Sequence, residues 1–460
     1  MDALQTLATL WRDLGLPADA LDHVSLTGRD PALPSSFHVG EMAQVSIAAA
    51  GLAAAELHRR RTGRTQRVTV DCRNAALEFR SERYCRVDGK EPPEEWDKIA
   101  GAYRCGDGGW VRLHTNFPHH RDGVLKLLNC AYDRKAVGDA LQGWTAEQFE
   151  DAAAAAGLVV AKARTFAEWD AHPHSRAVPT LPLISIERIG DGPKPEWRAG
   201  VRPLEGIRVM EMTRVLAGPI CGRALAAHGS DSLRLISPKL PTIENADIDS
   251  GRGKRSAHVD LATDGGKDDF RNLLAGCDVF IQSYRPGALA RHGFGPAELA
   301  ALRPGIVCVS LSAYGHAGPW AERRGFDSLV QTTTGLNQAE AEAAGESNPR
   351  PLPCQAIDHA SAYLMALGAV TALIRRSEQG GSFLVRVSLA RTQWWLRQMG
   401  RVAGGLACSD PKLEEIGDRI ETSPSGYGSL AAVRHAAELS ETPARWERPS
   451  VPYGTHPARW

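Results

Sequence analysis

The sequence predicts an α/β protein: a doubly wound parallel sheet, preceded by a block that contains a small α+β domain. Two observations carry this. Between residues 206 and 311 short apolar strands alternate with helices, which is the pattern of βαβ units. Upstream, the turn-rich stretch at 190–195 reads as a linker between blocks. A third observation, an internal repeat, relates the two blocks to each other.

Residues 1–200 form the first block, helix-rich at its start. The Ala-rich run at 45–55 is too short to cross a bilayer and reads as a buried helix. Trp110-Val111-Arg112-Leu113 has a strand pattern, 152–156 is an Ala-rich helix, and Leu183-Ile184-Ser185-Ile186 is a second strand candidate. The second block covers 201–400. Strands are expected at 206–212, 233–236, 279–281 and 306–311, and helices at 219–227, 268–274 and 296–302. Sheets of this kind bind ligands at the carboxyl ends of their strands. Residues 401–460 are rich in Ser, Pro, Glu and Arg, lack periodicity, and read as an extended tail.

Residues 41–80 lie on residues 358–397 without a gap. Gly51 falls on Gly368, Arg59 on Arg376, Val68 and Val70 on Val385 and Val387, and Glu41 on Asp358. Each copy reads as a small-residue helix, a basic end, a glycine turn and a strand, and duplication explains that better than chance.

Composition excludes several classes. The chain has 460 residues, with 54 Lys plus Arg against 54 Asp plus Glu, so no basic excess points to nucleic acid. The run Arg59-Arg60-Arg61 reads as a solvated helix end. Nine cysteines without a Cys-x-x-Cys pair suit reduced thiols in a cytoplasmic protein. Met1-Asp2-Ala3-Leu4 opens no secretory leader. The histidines at 114, 119, 120, 172 and 174 lack metal-ligand spacing, so no metal is expected.

The strand at 206–212 runs into Thr213-Arg214-Val215-Leu216-Ala217-Gly218-Pro219 and then a helix, a place suited to an anion. It is not the Gly-x-Gly-x-x-Gly fingerprint. Ser237-Pro238 stands where an acidic residue would close the second strand, so neither NAD nor FAD is expected. Further basic or glycine-rich segments at 251–256, 284–287 and 312–320 fall where βα loops belong and together suit a polyphosphate ligand. Asp358 begins an apolar helix. From the residues alone it is either a helix cap or a carboxylate nucleophile at a helix N-terminus.

In order along the chain, Pro203-Leu204-Glu205-Gly206, Thr213 to Pro219, Gly251-Arg252-Gly253-Lys254-Arg255-Ser256, Tyr284-Arg285-Pro286-Gly287, Tyr314-Gly315-His316-Ala317-Gly318-Pro319, Arg324-Gly325-Phe326-Asp327 and Asp358 resemble the class III CoA-transferases, the group of formyl-CoA transferase, carnitine CoA-transferase and α-methylacyl-CoA racemase. The resemblance implies a Rossmann-like sheet, coenzyme A or acyl-CoA with a carboxylic acid as substrates, and a covalent aspartyl intermediate at Asp358. The residues above already point to no metal, no NAD or FAD, no nucleic acid and no membrane. The resemblance places Arg214, Val215, Leu216, Ala217, Lys254, Arg255, Ser283, Tyr284 and Arg291 at the coenzyme A site, and it implies an interlocked homodimer. The first block is similar to the back part of the same unit, so the two parts stand in swapped order, with Glu41 as an altered counterpart of the nucleophile. Asp ionises at neutral pH without help, which suits it to attack. Phe326 precedes Asp327 where the racemase branch has His. A racemase or isomerase using Asp358 as general base, and a non-catalytic CoA-binding subunit, are the alternatives.

Overall fold

The computed structural model describes every residue except 1, 92, 94, 95 and 197–199. Met1 of the N-terminus read above, and residues 197–199 at the block boundary, therefore lie outside the described residues.

The first block opens with α1 (Ala3–Asp13), β1 (Val24–Thr27), the long helix α2 (Val39–Thr62), β2 (Val68–Asp71) and α3 (Cys72–Glu78). β1 and β2 pair in parallel, so α2 is a crossover. It is buried from Val39 to His58 and stops at Gly63, whose φ of 74° only glycine adopts without strain. Then α4 (Ser81–Tyr84) and β3 (Arg86–Val87) lead into the small domain: β4 (Gly101–Arg104), β5 (Trp110–Leu113), α5 (Pro118–Leu128), two further helices, and β6 (Val160–Lys162). β5 is the middle of its antiparallel three-stranded sheet. Val111, Leu113, Val124, Val137 and Phe149 give that domain a core of its own. β7 (Ser185–Gly190) starts two residues later than the strand expected at 183.

The second block follows the expected alternation: β8 (Arg208–Met212), α6 (Ala217–Ala227), β9 (Asp231–Ile236), β10 (Lys254–His258), α7 (Asp264–Ala275), β11 (Val279–Gln282), α8 (Pro296–Leu302), β12 (Val307–Ser312), α9 (Asp327–Thr333), α10 (Ala356–Gln379), β13 (Ser382–Ser388) and α11 (Leu389–Met399). Its sheet has the order β10-β9-β8-β11-β12-β13-β7. The first six strands are parallel and β7 closes the edge antiparallel. Val279 and Ile281 point into one core with α6 and α10, while Phe280 points into a second core with α7. Both faces are covered, which is why these strands read as continuous apolar runs. Among the described residues α10 is the one helix long and apolar enough to cross a membrane, and it is buried inside the core.

The repeat is structural as well as sequential. α2 and α10 each have 24 residues and pack against each other. Their caps share one conformation, φ −73° and ψ 57° at His38 and φ −76° and ψ 58° at Gln355. At the next helix, Asp71 accepts from the Asn74 amide as Ser388 accepts from the Arg391 amide. The copies exchange edges: β7, from the first block, completes the second sheet, and β16 (Ala437–Leu439) returns from the far end of the chain to pair antiparallel with β2. Between strand and edge the first copy carries the small domain. The second carries only the hairpin β14 (Ile420–Ser425) and β15 (Gly428–Val433), whose outer partner is β3. Past it, the tail is anchored on the second block by indole and phenol groups: Trp446 Nε1 donates to Arg223 O at 3.0 Å, and Tyr453 Oη to Asp247 at 2.7 Å. Behind the sheet, buried Arg223 meets Asp249 and Glu78, and the Tyr363 hydroxyl donates to Glu78 at 2.6 Å. This buried polar network fastens one block to the other.

Candidate functional site

A cavity of about 440 Å³ opens at the carboxyl ends of β8, β11 and β12, where the strand order changes direction. The second block supplies its floor: Arg214, Val215, Leu216 and Ala217 after β8, Ser283, Tyr284 and Arg285 after β11, and Arg323, Arg324 and Phe326 after β12. The first block supplies a roof of Phe117, His119, His120 and Val159. Asp358 is the one carboxylate among the lining residues.

Asp358 is not the cap of its helix. Gln355 holds that position, and Asp358 sits in the first turn with its amide donating to Asp327 Oδ2 at 2.9 Å. Asp327 in turn accepts from Gln331 Nε2. The first copy repeats the device: Asp30 accepts from the Gly40 and Glu41 amides at 3.0 and 2.8 Å. There, however, Thr6 of α1 donates to Glu41 at 3.2 Å, and His38 stands 3.3 Å away. Helix α1 thus lies over the counterpart of Asp358.

The expectation that Asp358 ionises without help is corrected by its surroundings. Burial, then the negative charges of Asp327 and Glu82, push its carboxyl well above the usual carboxylate range. Burial also raises Asp327 to about 6, although the Asp358 amide opposes it. Glu82 reaches from α4 to His359 Nε2 at 3.1 Å. Burial holds His120 of the roof, and His114 behind it, down to about 3, so both are neutral imidazoles at pH 7, and the His114 ring stacks on Phe326 at 3.9 Å.

On the floor, the Arg214 guanidinium lies 4.4 Å over the Phe117 ring and donates to Pro241 O. Burial pushes the Tyr284 phenol up to about 12, and its hydroxyl has no hydrogen-bond partner among the described residues. Val215 holds φ 70°, a strained conformation for a β-branched residue, of the kind that costs about 1–3 kcal/mol and concentrates at functional sites.

The structure brings Asp358, Arg214, Val215, Leu216, Ala217, Ser283 and Tyr284 to this one cavity. Lys254 and Arg255 stand elsewhere. Lys254 is enclosed behind α6, bonded to Glu211 at 2.7 Å and Pro219 O at 2.6 Å, and burial lowers it to about 8. Arg255 is held by Asp231 at 2.9 Å and by Arg459 O. Arg291, on the turn Ala290–His292, is off the lining, and its charge and that of Arg285 add to burial in lowering Arg324. Sequence reasoning gave no role to Phe117, His119, His120, Val159, Arg323 or Arg324 in this site. The first four come from a block whose local patterns say nothing of where it docks.

Known proteins match this chain on both blocks. Acetyl-coenzyme A transferase nodX of Hypoxylon pulicicidum is 32% identical over 204 residues, 43% of this chain and 34% of that one. An acyl-CoA transferase of Gibberella moniliformis is 26% identical over 415 residues, 80% of this chain and 72% of that one. A crystal structure of Rv3272 from Mycobacterium tuberculosis, 30% identical, aligns over 43% of this chain and 56% of that chain with a TM-score of 0.41. The match to nodX thus spans about a third of that relative's length. The sequence model of CoA-transferase family III matches residues 22–194 and 204–419, both blocks and most of the chain, and the chain belongs to that family.

Proposed function

We propose that the cavity binds an acyl-CoA and that Asp358 passes coenzyme A from the donor acid to an acceptor carboxylic acid. The observation that carries this is a single carboxylate at a helix N-terminus, in a cavity whose other charged lining groups are arginines. The Asp358 carboxylate attacks the thioester carbonyl, the C–S bond breaks, and the thiolate leaves with its electron pair from a mixed anhydride. The thiolate then attacks the aspartyl carbonyl and expels the donor carboxylate, leaving an aspartyl-CoA thioester. The acceptor carboxylate attacks that thioester, and the released thiolate takes the new acyl group, restoring Asp358. Asp358 must first give up the proton that its buried surroundings favour; from the carboxylate onward no proton or water is consumed. Arg285, Arg291 and Arg324 gather near the mouth, and none has an ion pair with a carboxylate among the described residues, which suits the phosphates of coenzyme A. Lys254 and Arg255 are left out of this reading.

The strand order supports the Rossmann-like description. That both blocks of one chain line the cavity supports a site that one chain completes, in place of the interlock that the resemblance implies between two subunits. The nine free cysteines suit a reducing, cytoplasmic setting.

The test is intact-protein mass spectrometry after incubation with a panel of acyl-CoAs. An acyl-sized or CoA-sized adduct is expected, removed by hydroxylamine and missing in Asp358→Ala. Absence of any adduct on a chain that binds coenzyme A rejects the transferase chemistry. One observation favours a second reading. Neutral His119 and His120 face the same cavity as a raised Asp358, so a base and an acid are both present for proton transfer at Cα. Deuterium uptake at Cα of a bound acyl-CoA, without adduct, would select it.

A further inference from the structure

The loop from Tyr314 to Gly325 follows β12 and delivers Arg323 and Arg324 to the cavity. One buried side chain of the other block meets its backbone twice. His174 is fully buried. Its Nε2–H donates to Tyr314 O at 2.9 Å, and the Trp320 amide donates to its Nδ1 at 3.2 Å. Only the tautomer with hydrogen on Nε2 satisfies both bonds. The ring also stacks on Trp320 at 5.8 Å and 21° and meets Tyr314 edge-on. Gly318 wraps around it: at φ 86°, a Cβ there would stand 2.8 Å from His174 Nδ1. The two arginines make further contacts of their own with the first block, Arg323 pairing with Glu150 at 3.5 Å. Arg323 lies 3.9 Å over the Trp320 ring, and Arg324 donates to Gly157 O of the first block at 2.9 Å.

We propose that His174 is a positioning residue, a latch by which the first block holds the 314–325 loop and so aims Arg323 and Arg324 at the anionic part of the ligand. The ligand assignment rests on the acyl-CoA reading above; the latch itself rests on the contacts just described. His174 touches no reacting atom, so its loss weakens binding and leaves the chemistry at Asp358 in place.

The test uses the full chain and two independent variants. His174→Phe keeps the ring and its stacking but loses both hydrogen bonds. Gly318→Ala pushes the loop off the latch without altering His174. His174→Asn, whose Oδ1 can take the place of Nδ1, keeps the bond to the Trp320 amide but not the one to Tyr314 O and is the partial rescue. Hydrogen exchange across 314–325 reads the latch, and titration calorimetry with coenzyme A reads the aim. Faster exchange at the Trp320 amide and about tenfold weaker coenzyme A binding are expected in both disrupting variants, with hydroxylamine-sensitive adduct still formed at saturating thioester. His174→Asn restores exchange at the Trp320 amide to within about twofold and coenzyme A affinity only in part. Folded disrupting variants with native exchange and native affinity overturn the proposal, and if His174→Phe does not fold, Gly318→Ala decides. No coenzyme A binding by the native chain overturns the functional reading and the aiming role together, while exchange at Trp320 still decides the latch.

Discussion

Lys254 and Glu211 are both enclosed in the second block and paired at 2.7 Å. Removing one partner of a buried pair leaves an uncompensated charge, so Lys254→Met is expected to cost about 3–5 kcal/mol in denaturant unfolding. Removing both, as Lys254→Met with Glu211→Leu, should recover most of it, and coenzyme A affinity should not change in the double variant. Loss of affinity without loss of stability would return Lys254 to the ligand site. The pair shows what a motif hides: a lysine in a glycine-rich basic run looks like a phosphate ligand, and only the fold shows the carboxylate waiting for it. That Asp358 opens an apolar helix was legible because it is a local property, whereas its assignment as nucleophile rested on the resemblance. Its ionisation was not legible, since Asp327 and Glu82 come from elsewhere in the sequence. Asp327, raised to about 6 from an unfolded value near 4, makes the folded state bind more protons between those values. Its contribution to stability is therefore complete below about pH 4 and lost as pH rises through about 6. Asp327→Asn should flatten that slope in unfolding measured across the same window. It also removes a negative neighbour from Asp358, so the acid limb of adduct formation should move to lower pH. A limb that stays put would show that Asp327 does not set it.

Among the secondary-structure elements, the alternating strands and helices of the second block were readable because each carries its own periodicity. The repeat was readable because its two helices have one length. What makes each copy close-packed is a glycine at the same place. A Cβ on Gly368 would stand 2.5 Å from Val385 Cγ1 and 2.9 Å from Ile184, whereas on Gly51 it would stand 3.3 Å from Val68 Cγ1 and 3.1 Å from Ala437. Gly368→Ala is therefore expected to destabilise by about 1–3 kcal/mol, the usual range for overpacking, and Gly51→Ala by less. Equal melting temperatures for the two would contradict that packing difference. The edge strands could not be read in this way. β16 has three residues, and nothing in Ala437-Glu438-Leu439 states that its partner is β2.

At the scale of the whole molecule, the cavity needs the roof of the first block and the floor of the second, and one chain supplies both. Adduct formed per chain is accordingly expected to stay constant on dilution through any dimer dissociation seen by sedimentation. A yield that falls with dilution would mean that a second copy contributes. The swapped order of parts was legible from motifs, but the closure of the site within one chain was not, because docking is a property of surfaces rather than of local patterns. The exchange of edge strands also sets a timetable. β2 is complete at residue 71, yet the strand that covers its open side ends at residue 439. At about 5–20 residues per second, ribosomes take roughly 20–75 s to make the chain between them. For that interval the first sheet carries a bare edge of the kind that recruits stray strands, and the nascent chain must be shielded by its own later parts or by chaperones until residue 439 emerges.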